Sequence, residues 1–153
     1  MTKVFALLFS LMLCSCNFSN EEVYMKPVEN NWRKKQVLQF DFDIKDAEKL
    51  KNIIFVVRNN NDYPYSNIRI ISTLNNFKEK KAKPDTLNYI LAKPNGEWIG
   101  SGFGETKETL FQYRLNYKFP KNGKYTVTVQ QAMRKDKLTG IDDFGVKIEQ
   151  AQP

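Results

Sequence analysis

The sequence predicts an all-β protein, an antiparallel β-sandwich of Ig-like or jelly-roll type with about seven to eight strands. Three observations carry that reading. Apolar and polar residues alternate in short runs, the period of a strand with one buried face. Aromatic residues make up 13% of the 153-residue chain, mostly Phe and Tyr, with few helix-favouring alanines, and such side chains suit a pleated, half-buried surface. Clusters of Asn, Asp, Gly and Pro punctuate the runs, and only the stretch from Asp46 to Leu50 hints at a helical turn.

Taken in order, residues 1–15 read as an export signal: a basic start at Lys3, an apolar run from Val4 to Leu13, then small residues before Cys16. The run is shorter than the ~20 apolar residues that a membrane span needs. Leu13-Cys14-Ser15-Cys16 resembles the lipobox of bacterial lipoproteins, which signal peptidase II cuts before a cysteine that then carries acyl chains. Cys16 is the expected acceptor, because modification at Cys14 would put bulky Leu13 where a small residue belongs. An ordinary signal peptide with paired or free cysteines is the alternative. No other cysteine occurs, so the mature domain holds together without disulfides. Removing fifteen residues from 153 leaves 138, enough for one domain.

Residues 16–31 are polar, contain Glu21-Glu22 and Pro27, and lack apolar period, which predicts a lipidated N-terminus and flexible tether. A single sandwich domain is expected over 32–153. Phe40, Phe42 and Ile44 mark one strand, with Asp41 and Asp43 on its other face. The continuous run from Ile53 to Val57 suits a central strand buried on both faces. Ile68, Ile70 and Leu74 alternate next, followed by Leu87, Tyr89 and Leu91. The longest stripe is Phe111, Tyr113, Leu115, Tyr117 and Phe119, and Tyr125, Val127 and Val129 repeat it. Between these two, Asn122-Gly123 predicts a tight hairpin. Phe144, Val146 and Ile148 end the set.

The chain has no histidine, which excludes Ser-His-Asp and Cys-His hydrolases and removes the common zinc ligands. Many carboxylates, among them Asp41, Asp43, Asp62, Asp85, Glu97, Glu105, Glu108, Asp142 and Asp143, leave a paired-carboxylate glycosidase formally open. Surface carboxylates are the commoner explanation, so no enzyme, cofactor or metal is expected. Gly100-Ser101-Gly102-Phe103-Gly104 fails as a nucleotide loop, since Glu105 stands where the third glycine of G-x-G-x-x-G belongs. It reads instead as a strand edge or bulge with close backbone approach. Asn59-Asn60-Asn61-Asp62 lacks EF-hand spacing and predicts a turn closed by side-chain bonds to backbone.

Tyr63, Tyr65 and Trp98 form the candidate binding surface, able to stack on sugars, to anchor a protein partner, or simply to cap the core. Trp32 has the same ambiguity. Net charge is +7, falling to +6 when Lys3 leaves with the signal. Such a surface could attract anionic headgroups, polyanionic glycans or acidic proteins. The charges look scattered, however, dense only at Arg33-Lys34-Lys35 and from Lys78 to Lys83. No nucleic-acid partner is expected.

Three stretches together resemble the GldH family of gliding-motility lipoproteins of Bacteroidetes. They are Arg58-Asn59-Asn60-Asn61-Asp62-Tyr63-Pro64-Tyr65-Ser66-Asn67; Asp85-Thr86-Leu87 leading to Pro94-Asn95-Gly96-Glu97-Trp98-Ile99-Gly100-Ser101-Gly102; and Phe119-Pro120 with Gly123-Lys124-Tyr125-Thr126 running to Gln131-Ala132-Met133-Arg134. The resemblance implies a membrane-anchored component of the gliding machinery, linked to type IX protein secretion and working through contacts with other envelope proteins. It implies no catalytic residue or cofactor. The expected location is the cell envelope, periplasm-facing or outer-membrane-associated. Asp85-Thr86-Leu87 also resembles the O-glycosylation acceptor of these bacteria, which implies a sugar on Thr86. A glycan-binding sandwich is the alternative function.

Overall fold

The computed structural model describes residues 21–76 and 82–152, so the expected signal peptide and Cys16 lie outside the described residues. Ten strands are present: β1 (Glu21–Pro27), β2 (Trp32–Arg33), β3 (Val37–Ile44), β4 (Lys51–Asn59), β5 (Asn67–Asn76), β6 (Asp85–Ile90), β7 (Lys107–Tyr117), β8 (Gly123–Gln131), β9 (Lys137–Leu138) and β10 (Ile141–Gln150). All pairings are antiparallel, in two four-stranded sheets ordered β1-β10-β4-β7 and β3-β8-β5-β6, with β2 and β9 as a short separate pair. No helix occurs among the described residues, and the two sheets pack as the expected sandwich.

Alternation builds the core directly. In β3, Leu38, Phe40, Phe42 and Ile44 turn inward while Val37, Gln39, Asp41 and Asp43 face out, and in β8 Tyr125, Val127 and Val129 meet them. From β10, the fully buried Phe144 sits at the centre, with ring centroids 5.4 Å from Trp32, 5.3 Å from Phe55 and 6.3 Å from Phe40. The interior strand β4 buries Ile53, Phe55, Val56 and Val57, as its unbroken apolar run predicts. Edge strands β6 and β7 close one open side through stacked Tyr89 and Phe111 at 4.5 Å, and through Asp85, which accepts from Tyr113 Oη at 2.8 Å and Arg114 at 2.6 Å.

Three expectations are corrected. The strands number ten, because a pair of two-residue strands is too short to show alternation and because β1 lies inside the expected tether. Glu21–Pro27 pairs with β10 along its whole length; its side chains are mostly exposed, so an edge held by backbone bonds leaves no apolar period to read. The folded domain therefore includes residue 21, well ahead of residue 32. Finally, β7 and β8 are not a hairpin but belong to opposite sheets. Phe119, 1% exposed, plugs the crossing between them, and Asn122 Oδ1 accepts from Ala47 N at 2.7 Å rather than shaping a two-residue turn.

The register defines two poles. Glu21 lies opposite Glu149 and Gln150 opposite Lys51, so β1 starts and β10 ends at one pole. The segments 59–66, 91–106 and 131–141 gather at the other. With ten residues in β10, the poles are about 30 Å apart.

Candidate functional site

The remote pole is organised around Tyr63. Asn60 Oδ1 accepts from Asp62 N at 2.9 Å, closing the expected side-chain turn, while Asn60 Nδ2 donates to Asp142 Oδ1 at 2.7 Å. The turn delivers Tyr63 inward, 4% exposed, with its hydroxyl donating to Asn67 O at 2.8 Å. Burial, and secondarily the neighbouring Tyr65, push the Tyr63 phenol well above its ordinary range. Gly140, at φ +79, passes so close that a Cβ there would lie 2.1 Å from Tyr63 N. Only glycine fits that approach.

The other two predicted rings do join Tyr63. Tyr65 meets it edge-on at 5.8 Å and Trp98 lies tilted at 6.4 Å, with the indole N–H donating to Asn61 Oδ1 at 3.1 Å. Tyr65 and Trp98 are half-buried, so two rings and not three offer surface. Trp32 is wholly inside, against Phe144. Thr86 is exposed on the edge strand β6, next to the Asp85 carboxylate that bonds Tyr113 and Arg114.

The glycine-rich loop holds the most exposed large apolar side chain among the described residues. Phe103 is fully exposed, at 102%. Lys107 Nζ donates to Gly102 O at 3.1 Å and Gly104 O at 2.9 Å, strapping the backbone on both sides of the ring. Ser101 and Glu108 bridge the base of the loop, the close backbone approach expected there. Beneath lies an open pocket of about 380 Å3 lined by Arg58, Thr106, Glu108, Asp142 and Asp143. Its polar groups have partners: Arg58 Nε lies 2.7 Å from Glu108 and Nη1 3.7 Å from Asp143, while Thr106 Oγ1 donates to Asp142 Oδ2 at 3.0 Å. Among the described residues, no group of three or more Cys, Asp or Glu side chains could hold a metal ion.

The family model for the GldH lipoprotein matches residues 21–148, from the first residue of β1 to near the end of β10. The chain belongs to the GldH lipoprotein family. It is 40% identical to the gliding motility lipoprotein GldH homolog of Christiangramia forsetii, over 97% of this chain and 96% of that protein. With the gliding motility lipoprotein GldH of Flavobacterium johnsoniae the identity is 35%, over 94% and 93%. Among solved structures, an exo-beta-1,3-galactanase of Phanerochaete chrysosporium is 9% identical at a TM-score of 0.38, over 82% of this chain and 29% of that one, too low to carry any argument. GldH membership makes this a gliding-motility lipoprotein, lipid-anchored in the cell envelope.

Proposed function

We propose that the protein is a non-enzymatic lipoprotein held to a membrane through acylated Cys16, and that its remote pole binds other envelope proteins of the gliding and type IX secretion apparatus. The observation that carries this is Phe103, an aromatic ring held fully in solvent by a strapped loop at the pole opposite Glu21. Exposed aromatic anchors are what protein interfaces bury at their centres. Four residues lie between Cys16 and Glu21, so the reach from one to the other is at most about 17 Å. The starting pole thus stays near the bilayer and Phe103 points away from it. Two or more acyl chains are needed for stable anchoring.

A photo-crosslinking residue at position 103 in gliding cells tests this. The expected products are gliding or secretion envelope proteins, with none from position 115, where Leu115 is exposed near the anchored pole. Crosslinks at 115 but not 103, or equal fatty-acid labelling of the wild-type and Cys16→Ala proteins, would overturn it. A glycan-binding role would rest on Tyr65 and Trp98 alone, and their packing on buried Tyr63 favours a structural corner. Sugar on Thr86 is a separate proposal; an intact mass unchanged by Thr86→Ala, beyond the substitution itself, would remove it.

A further inference from the structure

Seven of the 24 basic residues come together on the folded surface. Strand pairing sets Arg33 opposite Lys137, and Lys34 N donates to Asp136 O at 2.7 Å. Ala132 N donates to Arg69 O at 2.8 Å, and the Arg69 N–H points at Met133 Sδ at 3.2 Å, which adds Arg69 to the same region. The loop that displays Arg134 and Lys135 is braced from inside by Gln131, 1% exposed, whose amide donates to Lys135 O at 3.0 Å and accepts from Met133 N at 2.8 Å.

The result is one exposed surface holding Arg33, Lys34, Lys35, Arg69, Arg134, Lys135 and Lys137, against the single acid Asp136. Seven of the chain's 24 basic residues and one of its 17 acidic ones are here, a net of +6 out of +7; the remainder is nearly balanced, 17 against 16. None of the seven cationic side chains makes an ion pair among the described residues. Holding seven like charges together without partners costs stability.

Two recesses lie in this surface. One of about 520 Å3 is lined by Arg33, Lys34, Lys35, Asp136 and Lys137. The other, about 420 Å3, has Arg69, Arg134 and Lys135 around an apolar floor of Tyr65, Ala132 and Met133. We infer that this surface binds an acidic protein segment that carries apolar side chains, its carboxylates meeting the cations and an apolar residue entering the Met133 recess. The patch is at the pole about 30 Å from the anchored one, beyond the ~8 Å reach of charge in physiological salt. A domain standing upright on its tether thus keeps the patch away from the membrane that holds Cys16. The apolar floor favours a peptide over a polyanionic glycan, which would seek cations and hydrogen-bond donors alone. This inference rests on the reading of the remote pole as the partner-binding one, and supplies the partner's chemistry.

The test uses the full lipidated protein in a neutral detergent and a fluorescent ten-residue peptide alternating Glu and Leu. Binding is expected, weakening about tenfold or more between 50 and 300 mM NaCl. The double variant Arg134→Gln/Lys135→Gln and the single variant Ala132→Glu should each lose about tenfold, with the first unfolding at no lower a temperature than wild type. Peptide binding insensitive to both variants, or heparin or anionic vesicles bound as tightly and equally indifferent to Ala132→Glu, would overturn the proposal. Peptide binding with no crosslinks from position 103 would sink the proposed function alone; crosslinks without peptide binding would sink this inference alone.

Discussion

The cationic surface of the remote pole and the ion pairs near Glu21 treat charge in opposite ways. Near Glu21, the Lys51 ammonium lies 2.8 Å from Asp46, with Lys49 at 3.7 Å, and Lys147 is 3.1 Å from Glu21 and 3.0 Å from Glu149. At the remote pole seven cations share a surface with no ion pair, and Phe103 stands fully in solvent. The chain does not lack acids, since outside the patch they nearly equal the bases. Some charges near Glu21 are matched within the domain, whereas the seven cations of the patch are left for a partner to match.

The largest effect expected is where Gly140 passes Tyr63 at the remote pole. Gly140→Ala would force a Cβ into the Tyr63 backbone at a positive φ, a cost of about 4 kcal/mol or more. Urea unfolding should find a protein largely unfolded at low denaturant, and a wild-type midpoint would show that the 140 turn does not lean on Tyr63. Next comes the core that both poles share. Phe144→Ala removes the ring that touches Trp32, Phe40 and Phe55 and should cost about 3–5 kcal/mol.

A smaller effect separates the poles by pH. The hydrogen bond from Lys51, and then the charges of Lys51 and Lys49, hold the Asp46 carboxyl below its ordinary 3.8. A depressed carboxylate contributes stability that is present above its unfolded pKa and lost as pH falls through its folded pKa. Asp46→Asn leaves the Lys51 ammonium, in a residue only 6% exposed, without its partner. A loss of about 1–2 kcal/mol at neutral pH is expected, discounted because Asp46 itself is 30% exposed. The variant's stability should also fall less steeply below pH 4 than the wild type's. Equal acid slopes would mean that this pair does not set the behaviour of the anchored pole.

How much of this was legible in the sequence follows from which forces leave a periodic trace. Phe40, Phe42 and Ile44, or Tyr125, Val127 and Val129, bury alternate residues, and burial is what alternation records. Strand β1 is held by backbone hydrogen bonds, which any residue supplies, so it read as tether. The partner of Asn122-Gly123 depended on which sheet received β8, a long-range choice that no dipeptide encodes. Of the candidate site, Tyr63, Tyr65 and Trp98 were legible as aromatics beside turn residues, although burial of the first was not. Phe103 between two glycines belongs to no period, so alternation gives it no signal. The cationic surface was hidden because 33–35, 69 and 134–137 are separate in the chain and meet only through β2-β9 and β5-β8 pairing.

The smallest effect bears on that surface directly and needs no partner. Two unit charges 10 Å apart in water repel by about 0.4 kcal/mol, and 0.1 M salt screens much of this at that distance. Seven cations with one acid therefore repel most at low salt, whereas the anchored pole's pairs attract most there. Replacing Lys34, Lys35, Arg134 and Lys135 by glutamine should raise stability by about 0.5–1 kcal/mol at 10 mM NaCl and by almost nothing at 300 mM. Thermal unfolding at the two salt concentrations reads the difference. Relief that shrinks with salt means that the patch is a strained charge cluster in the free protein. A variant less stable than wild type at both concentrations would mean that these cations are matched inside the domain, and the contrast between the poles would be lost.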